Sequence, residues 1–212
     1  AYNKLRLKEK ELPSFAEFPQ RGVFKYKVTK PKIAYEEQIK DLANHPFKTP
    51  SGKIEIFSER LLKFGDPQEI PAIPKYVPAF EGPADPLTEK YPLQCIGWHY
   101  KRRCHSMHDN NPWLEEVGAQ VMWMNPLDAG SRRIQDGDKV EVFNDRGRLH
   151  IPVHLTPRII PGTVAIPQGA WFTPDKNGVD TRGCINVLTT QRATALAKGN
   201  PQHTNLVEVK KA

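Results

Sequence analysis

The sequence predicts a mainly β protein with short helices (α+β), namely a small β-barrel preceded by a proline-rich extended segment. Two observations support this class. In the second half of the 212 residues, short segments of alternating polar and apolar residues recur at regular spacing between Gly, Asn and Asp turns. In the first half, prolines interrupt the chain and no long periodic run occurs. We therefore expect a lead-in segment at residues 1–88 and the barrel at residues 89–212.

The lead-in segment contains little predicted regular structure. One helix is predicted at residues 34–42, where apolar residues share a face. Polar and apolar residues alternate over residues 53–57, which predicts a half-buried strand. Ser58 precedes Leu61 and Leu62 as the N-cap of a further short helix. The proline-dense residues that follow predict an extended strap over another surface.

The barrel half contains the predicted strands and two short helices. The strands are predicted at residues 91–97, 120–124, 139–143, 148–156, 163–167, 185–189 and 205–209. Asn111 and Asn125 are each followed by a proline, which is the pattern of an N-cap with proline at the first helical position. Gly147 ends the hairpin turn that begins at Asn144, and we predict a positive φ there.

Composition and charge narrow the class of protein. With 38% hydrophobic residues the chain can bury a core, and no apolar run approaches the length of a membrane span. The 31 Lys and Arg against 24 Asp and Glu give a net charge of +7. This charge is suited to binding a nucleic acid, a phosphorylated cofactor or an acidic partner, and it is equally compatible with a basic surface exposed to water.

The three cysteines, Cys95, Cys104 and Cys184, form no paired motif, so neither a disulfide framework nor a zinc ribbon is predicted. The charged start without Met predicts a piece of a longer chain.

The densest group of hydrogen-bond donors follows the strand at residues 91–97, in a segment that we call the donor loop. It consists of Gly97, Trp98, His99, Tyr100, Lys101, Arg102, Arg103, Cys104, His105 and Ser106. Each donor must be satisfied if it is buried, so packing alone does not account for so many on one loop. We predict a large, polar, anionic ligand across it, with the guanidinium groups neutralising phosphates. A basic turn exposed to water is the alternative.

Aromatic and amide side chains elsewhere extend the candidate site. Trp98, Trp171 and Phe172 could flank a flat heterocycle by stacking, although the barrel core is an equal alternative for Phe172. Asn125 and Asn186 could bond the edge of a ligand, a role that for Asn125 is compatible with capping a helix.

Other kinds of site are weakly supported. A metal could be bound by a cluster on the donor loop and just after it, namely His99, Cys104, His105 and His108. A single segment would then supply every ligand, which is unusual for transition-metal sites. The sequence also lacks a glycine-rich phosphate loop, a GxSxG elbow and an HExxH motif.

Several short motifs, taken in order, resemble a known family. The motifs occupy residues 124–129, 136–142, 144–147, 161–164, 169–172 and 186–189. They are similar to the C-terminal domain of molybdopterin oxidoreductases of the dimethyl sulfoxide reductase family. The donor loop, which ends in His105-Ser106, resembles the first cofactor loop of that family, and residues 47–56 resemble the segment that leads into the domain.

The resemblance implies a double-psi β-barrel over roughly the last 120 residues and a ligand, bis(molybdopterin guanine dinucleotide) with molybdenum. By position, the donor loop would line one pterin and its phosphates. The remaining residues implied in cofactor binding are Asn125 near the nucleotide, Gly169, Ala170 and Trp171 where the ligand approaches closely, Asn186 at a pterin edge, and His203 and Thr204 as a last contact.

The resemblance also implies features of an intact enzyme. These are a 4Fe-4S cluster and a serine ligand to molybdenum in parts missing here, an iron–sulfur electron-transfer subunit, a membrane anchor subunit, and twin-arginine export to the periplasmic face of the inner membrane. Residues 1–88 would belong to a preceding domain. The intact enzyme would reduce dimethyl sulfoxide and related S- and N-oxides with electrons from the quinone pool, and this chain alone would be inactive.

Three alternatives stay open at this point. The first is a relative that reduces trimethylamine N-oxide, selenate or biotin sulfoxide. The second is a basic barrel that binds nucleic acid, which we disfavour because the aromatic residues are predicted on loops and not on strands. The third is a barrel used as a protein adaptor, which would not require so many donors on one loop.

Overall fold

The computed structural model describes residues 2–212 and divides into two compact units, Ala1–Ile56 and Phe57–Ala212. The helices of the first unit are α1 (Tyr2–Lys8), α2 (Phe18–Arg21) and α3 (Glu36–Lys40). The helix predicted at residues 34–42 is therefore present as α3. In the same unit, Tyr2 packs edge-on against the rings of Phe15 and Phe18. None of the helices in residues 2–212 has the length and apolar character that a membrane span requires.

The strand predicted at residues 53–57 is wrong. These residues form bends and irregular backbone, and Ile54 and Ile56 are 75% and 74% exposed. The Thr49 hydroxyl donates to the Lys53 carbonyl at 2.6 Å, which stabilises a local turn instead. Alternation predicts a strand only where a neighbouring strand can pair with it, because the backbone groups of a strand bond across the sheet.

The second unit contains six strands and the remaining helices. In chain order they are α4 (Glu59–Leu62), a 3₁₀ helix (Pro86–Glu89), β1 (Leu93–Trp98), α5 (Pro112–Glu115), β2 (Met122–Met124), α6 (Pro126–Ser131), β3 (Lys139–Phe143), β4 (Arg148–Leu155), β5 (Thr163–Pro167), a 3₁₀ helix (Ile185–Val187) and β6 (Asn205–Lys211). The N-caps predicted at Ser58, Asn111 and Asn125 are confirmed, since each side chain accepts a backbone N–H of the helix that follows.

The strands close into a barrel in the order β1-β5-β2-β4-β3-β6. Two pairs, β1 with β5 and β2 with β4, are parallel, and the other four are antiparallel. Leu149, Ile151 and Val153 of β4 alternate with more exposed residues and lie in the core, as their spacing predicts. Because β1 and β5 run in parallel, with Trp98 opposite Pro167, the loops that follow these two strands leave the barrel side by side.

Two further predictions in this unit are wrong, and both concern the 3₁₀ helix at Ile185–Val187. Residues 185–189 contain a 3₁₀ helix and not a strand, and its spacing of three residues per turn lets both Ile185 and Leu188 face the core. Gly147 does not have a positive φ. A Cβ atom at Gly147 would lie 2.8 Å from the Val187 carbonyl oxygen, so glycine is needed because the 3₁₀ helix approaches the hairpin closely.

The segment before β1 is joined to the barrel through a buried ion pair. The side chain of Glu81 is 3% exposed and accepts both terminal nitrogens of Arg146, at 2.5 and 2.8 Å. Glu81 also accepts the backbone N–H of Leu206 at 2.9 Å. Residues 57–88 therefore share a compact unit with the barrel. That residues 1–88 belong to a preceding domain of a longer protein stays a prediction.

Glu81→Gln is expected to lower the free energy of unfolding by about 1.5–3 kcal/mol, the range for a hydrogen bond to a charged group. Glutamine has one acceptor oxygen. Either Arg146 Nη1 therefore loses its acceptor, or Arg146 Nη2 and the Leu206 N–H lose theirs together. Urea unfolding of the variant measures the loss. Glu89→Gln is the matched control, because Glu89 is exposed in the same segment. Equal stability of the two variants would contradict a role for the buried pair.

Candidate functional site

The donor loop lies against the loop that follows β5. A Cβ atom at Gly169 would fall 1.8 Å from the His105 carbonyl oxygen, and Gly169 has a φ of +92°. The indole Nε1 of Trp171 donates to the Ser106 carbonyl at 2.8 Å. The structure therefore brings Gly169, Ala170 and Trp171 against the donor loop, as the parallel pairing of β1 and β5 dictates.

One buried carboxylate holds these loops in place. Asp109, which is 1% exposed, accepts hydrogen bonds from Arg103, from the backbone N–H of Trp171 and from Arg182. Neither Asp109 nor Arg182 is among the site residues predicted from the sequence. The sequence does contain a feature from which Asp109 could be predicted. It is the single acidic residue among the basic and aromatic residues at 97–114. Buried cations require a buried anion, and this segment offers one.

The guanidinium of Arg103 donates its hydrogen bonds to other groups of the protein. Besides Asp109, its guanidinium donates to the Gln168 carbonyl at 3.0 Å and to Gln120 Oε1 at 2.5 Å. Burial lowers the pKa of Arg103, while the Asp109 carboxylate acts in the opposite direction. The guanidinium therefore joins the donor loop to the end of β5 and to residue 120. A contact between Arg103 and phosphate stays a prediction.

Arg102 differs from its neighbour in having unpartnered donors. Its side chain is 3% exposed, yet Nε and Nη1 have no hydrogen-bond partner among the described residues, and Nη2 lies 3.7 Å from an Asp109 oxygen. The guanidinium carbon lies 5.4 Å from the centroid of the Tyr100 ring. Arg102 lines a cleft of about 340 Å³ together with Arg182 and Gln120. The cleft is thus bordered by positive charge, and two buried N–H groups of Arg102 beside it have no partner among the described residues.

Two other buried donors lack a partner among residues 2–212, and both belong to the predicted site. They are the indole Nε1 of Trp98 and the hydroxyl of Thr204. The surface of the donor loop is formed by exposed side chains, namely those of His99, Lys101, Cys104, His105 and Ser106. A buried polar group without a partner is costly, which makes these atoms candidates for ligand contacts.

The structure groups most of the predicted residues but separates Asn125 from them. A Cβ atom at Gly97 would lie 3.4 Å from Ile185 and 3.8 Å from the Gln202 carbonyl oxygen, which places the neighbours Asn186 and His203 near the donor loop. Asn125 follows β2, next to the start of β5, whereas the donor loop lies at the end of β5. The Asn125 amide also donates to the Ile159 carbonyl at 2.7 Å. Its role near a nucleotide stays a prediction.

Comparison with known proteins identifies the family. A family model described as "Molydopterin dinucleotide binding domain" matches residues 93–206. The dimethyl sulfoxide reductase DmsA of Haemophilus influenzae is 51% identical over 218 residues, covering 99% of this chain and 27% of that protein. DmsA of Escherichia coli is 50% identical over 208 residues, covering 95% of this chain and 26% of that protein. The chain thus spans about a quarter of the length of these curated relatives.

A solved structure agrees with the fold. Acetylene hydratase from Pelobacter acetylenicus superposes with a TM-score of 0.63 at 21% sequence identity, over 77% of this chain and 24% of that one. At this identity the likeness concerns the fold alone. The closed six-stranded topology is the double-psi β-barrel that the sequence resemblance predicts. With a family match that spans β1 to the start of β6, this chain belongs to the molydopterin dinucleotide binding domains of the molybdopterin oxidoreductases.

Proposed function

We propose that this chain is the module that binds bis(molybdopterin guanine dinucleotide) in a molybdenum-dependent reductase of dimethyl sulfoxide. The observation that supports this most is the buried guanidinium of Arg102, which has unpartnered donors on the loop where the family resemblance implies cofactor contacts. Two relatives that are half identical to the chain bear the name dimethyl sulfoxide reductase, which supports the choice of substrate.

The residues present fit such a cofactor. A pyrophosphate-linked dinucleotide is anionic, and the cleft beside the donor loop offers the guanidinium groups of Arg102 and Arg182. The unpartnered Trp98 Nε1 and Thr204 hydroxyl can bond polar edges of a pterin. Among the described residues, no group of three or more His, Cys, Asp or Glu side chains could hold a metal ion. In this proposal, the protein's ligand to molybdenum would lie in another part of the longer protein.

When bound, the cofactor supplies the two-electron, oxygen-removing chemistry, and the protein contributes binding, orientation and electrostatics. The Asp109 network fixes the donor loop before any ligand arrives, because its hydrogen bonds are made within the protein. Gly169 keeps the neighbouring loop against His105. Trp171, which is 48% exposed, is positioned by its bond to Ser106 and can cover part of a flat ligand.

The proposal extends to the longer protein. Its remaining domains would hold the 4Fe-4S cluster and the ligand to molybdenum, and an iron–sulfur subunit and a membrane anchor subunit would deliver electrons from the quinone pool. Twin-arginine export would place the enzyme on the periplasmic face of the inner membrane. These features rest on the family resemblance and on the DmsA relatives. This chain alone is expected to bind cofactor groups without turnover.

The test is cofactor analysis of the full-length protein purified without oxygen. The expected result is molybdenum together with guanine nucleotide released by acid, and faster reduction of dimethyl sulfoxide than of trimethylamine N-oxide. A known molybdoenzyme produced in the same host is the control for cofactor supply. If the control contains molybdenum and this protein contains neither molybdenum nor tungsten, the proposed function is wrong. A clear preference for trimethylamine N-oxide would contradict the proposed substrate but not the proposed cofactor.

A further inference from the structure

Residues 23–30 have the residue pattern of a β-strand, but no strand lies beside them in the part of the chain that the structure describes. Three apolar residues with high strand propensity, Phe24, Tyr26 and Val28, alternate with polar ones. The rings of Phe24 and Tyr26 meet edge-on with their centroids 5.2 Å apart, so both lie on one side of the chain. Residues 24–32 nevertheless make no backbone–backbone hydrogen bond with a described residue.

The apolar side chains of this segment are exposed. Val23 and Val28 are 71% and 77% exposed, and Tyr26, Ile33 and Tyr35 are each exposed to half or more of their area. A continuous row of exposed apolar side chains is unusual on the surface of a monomer and marks a surface that another element covers. The segment therefore lacks a neighbour for its side chains as well as for its backbone.

The same segment carries positive charge that the described residues do not neutralise. Residues 18–35 contain no Asp or Glu but five cations, namely Arg21, Lys25, Lys27, Lys30 and Lys32. Among the described residues, both ion pairs of the first unit involve a glutamate of α3 instead. Because like charges on neighbouring strands are destabilising, an element that pairs with this segment has to be acidic.

We propose that residues 23–30 add a strand to the acidic edge of a β-sheet in the part of the longer protein that lies outside this chain. The added strand bonds its free backbone groups to that edge, buries the face that carries Tyr26 and Val28, and turns Lys25 and Lys27 toward carboxylates of the neighbouring strand. This chain spans about a quarter of the length of its DmsA relatives, so most of the longer protein can supply the edge. The pairing requires the longer protein that the proposed function assumes, but not the cofactor.

Hydrogen exchange of the full-length protein, purified as a single polypeptide, measures the backbone pairing. A strand at a sheet edge directs every second N–H toward its neighbour, so about half of the amides at residues 23–30 should be protected. Those amides should exchange on the order of 100-fold more slowly than in a synthetic peptide of residues 21–35. Exchange at the rate of the synthetic peptide would mean that water covers the segment. Protection that appears only after a second polypeptide is added would assign the edge to that polypeptide, and either result would overturn the proposal.

Charge reversal tests whether the neighbouring strand is acidic. In the full-length protein, Lys25→Glu with Lys27→Glu should raise the exchange rate of the protected amides on the order of tenfold, because like charges then face each other. Lys25→Gln with Lys27→Gln removes the charge without adding repulsion and should have a smaller effect, which can be measured even if the charge reversal prevents folding. Lys8→Glu with Lys10→Glu is the matched control, since both lysines are exposed and the net charge changes equally. Equal exchange rates in the Lys25/Lys27 variants and the control would contradict an acidic edge.

Cofactor analysis of the same preparations separates this strand from the proposed function. If the full-length protein contains molybdenum and guanine nucleotide while residues 23–30 exchange freely, the strand is wrong and the proposed function stands. If residues 23–30 are protected in a protein that contains neither, the strand stands and the proposed function fails.

Discussion

Asp109→Ala is expected to lower the free energy of unfolding of the chain by about 3–5 kcal/mol, the range measured when one partner of a buried ion pair is removed. The variant leaves the Arg103 guanidinium buried without its counter-charge and leaves the Trp171 N–H without an acceptor. Urea unfolding followed by tryptophan fluorescence measures the loss. In the full-length protein, the donor loop should loosen, and the content of molybdenum and guanine nucleotide should fall with it.

Companion variants show whether the charge or the packing matters. Asp109→Asn keeps the size and one acceptor oxygen, so it is expected to lie between the wild type and Asp109→Ala. Replacing both partners, as in Arg103→Met with Asp109→Leu, should recover part of the loss, because Arg103 is then no longer a buried cation without its counter-charge. The recovery stays partial because Arg102 and Arg182 still lose the Asp109 carboxylate. Glu116→Ala is the control on an exposed neighbouring acid. If Asp109→Ala is no less stable than Glu116→Ala, the carboxylate does not hold the loops.

The strands and helix caps could be predicted because they follow from local spacing. The period-two pattern at 148–156 places Leu149, Ile151 and Val153 in the core, and an Asn–Pro pair marks the start of both α5 and α6. The 3₁₀ helix at Ile185–Val187 could not be predicted in this way, because a short apolar run is compatible with either a strand or a helical turn. The burial of Ile185 and Leu188 in the barrel core and the approach of Val187 to Gly147 of a distant hairpin decide between them.

The different hydrogen bonding of Arg102 and Arg103 depends on residues that are distant in sequence. The donor loop could be recognised as a candidate site from its composition, and the structure indeed places the loop after β5 beside it. What separates the two arginines is that Gln120 and the Gln168 carbonyl are within reach of Arg103. Gln120 and Gln168 lie 17 and 65 residues from Arg103 in the sequence. The difference between the two arginines therefore depends on closure of the barrel and not on the residues next to them in the chain.

Gly169→Ala is expected to cost stability through two separate effects. A positive φ costs an L-residue roughly 1–2 kcal/mol, and forcing a methyl group into filled space costs about 1–3 kcal/mol. Both apply here, since Gly169 has a φ of +92° and its Cβ would lie 1.8 Å from the His105 carbonyl oxygen. A backbone oxygen cannot turn aside as a side chain can, so the donor loop must move.

Gly178→Ala separates the two effects, because Gly178 has a φ of +80° but nothing within 4 Å of the position that a methyl group would occupy. In urea unfolding, Gly178→Ala should therefore lose only the free energy that the positive φ costs. Gly169→Ala should lose more, because the methyl group also meets the His105 carbonyl oxygen. In the full-length protein, Gly169→Ala should also lower the content of guanine nucleotide, whereas Gly178→Ala should leave it unchanged. Equal losses of stability in the two variants, with the cofactor retained in both, would mean that the loops after β1 and β5 need not touch for the site to form.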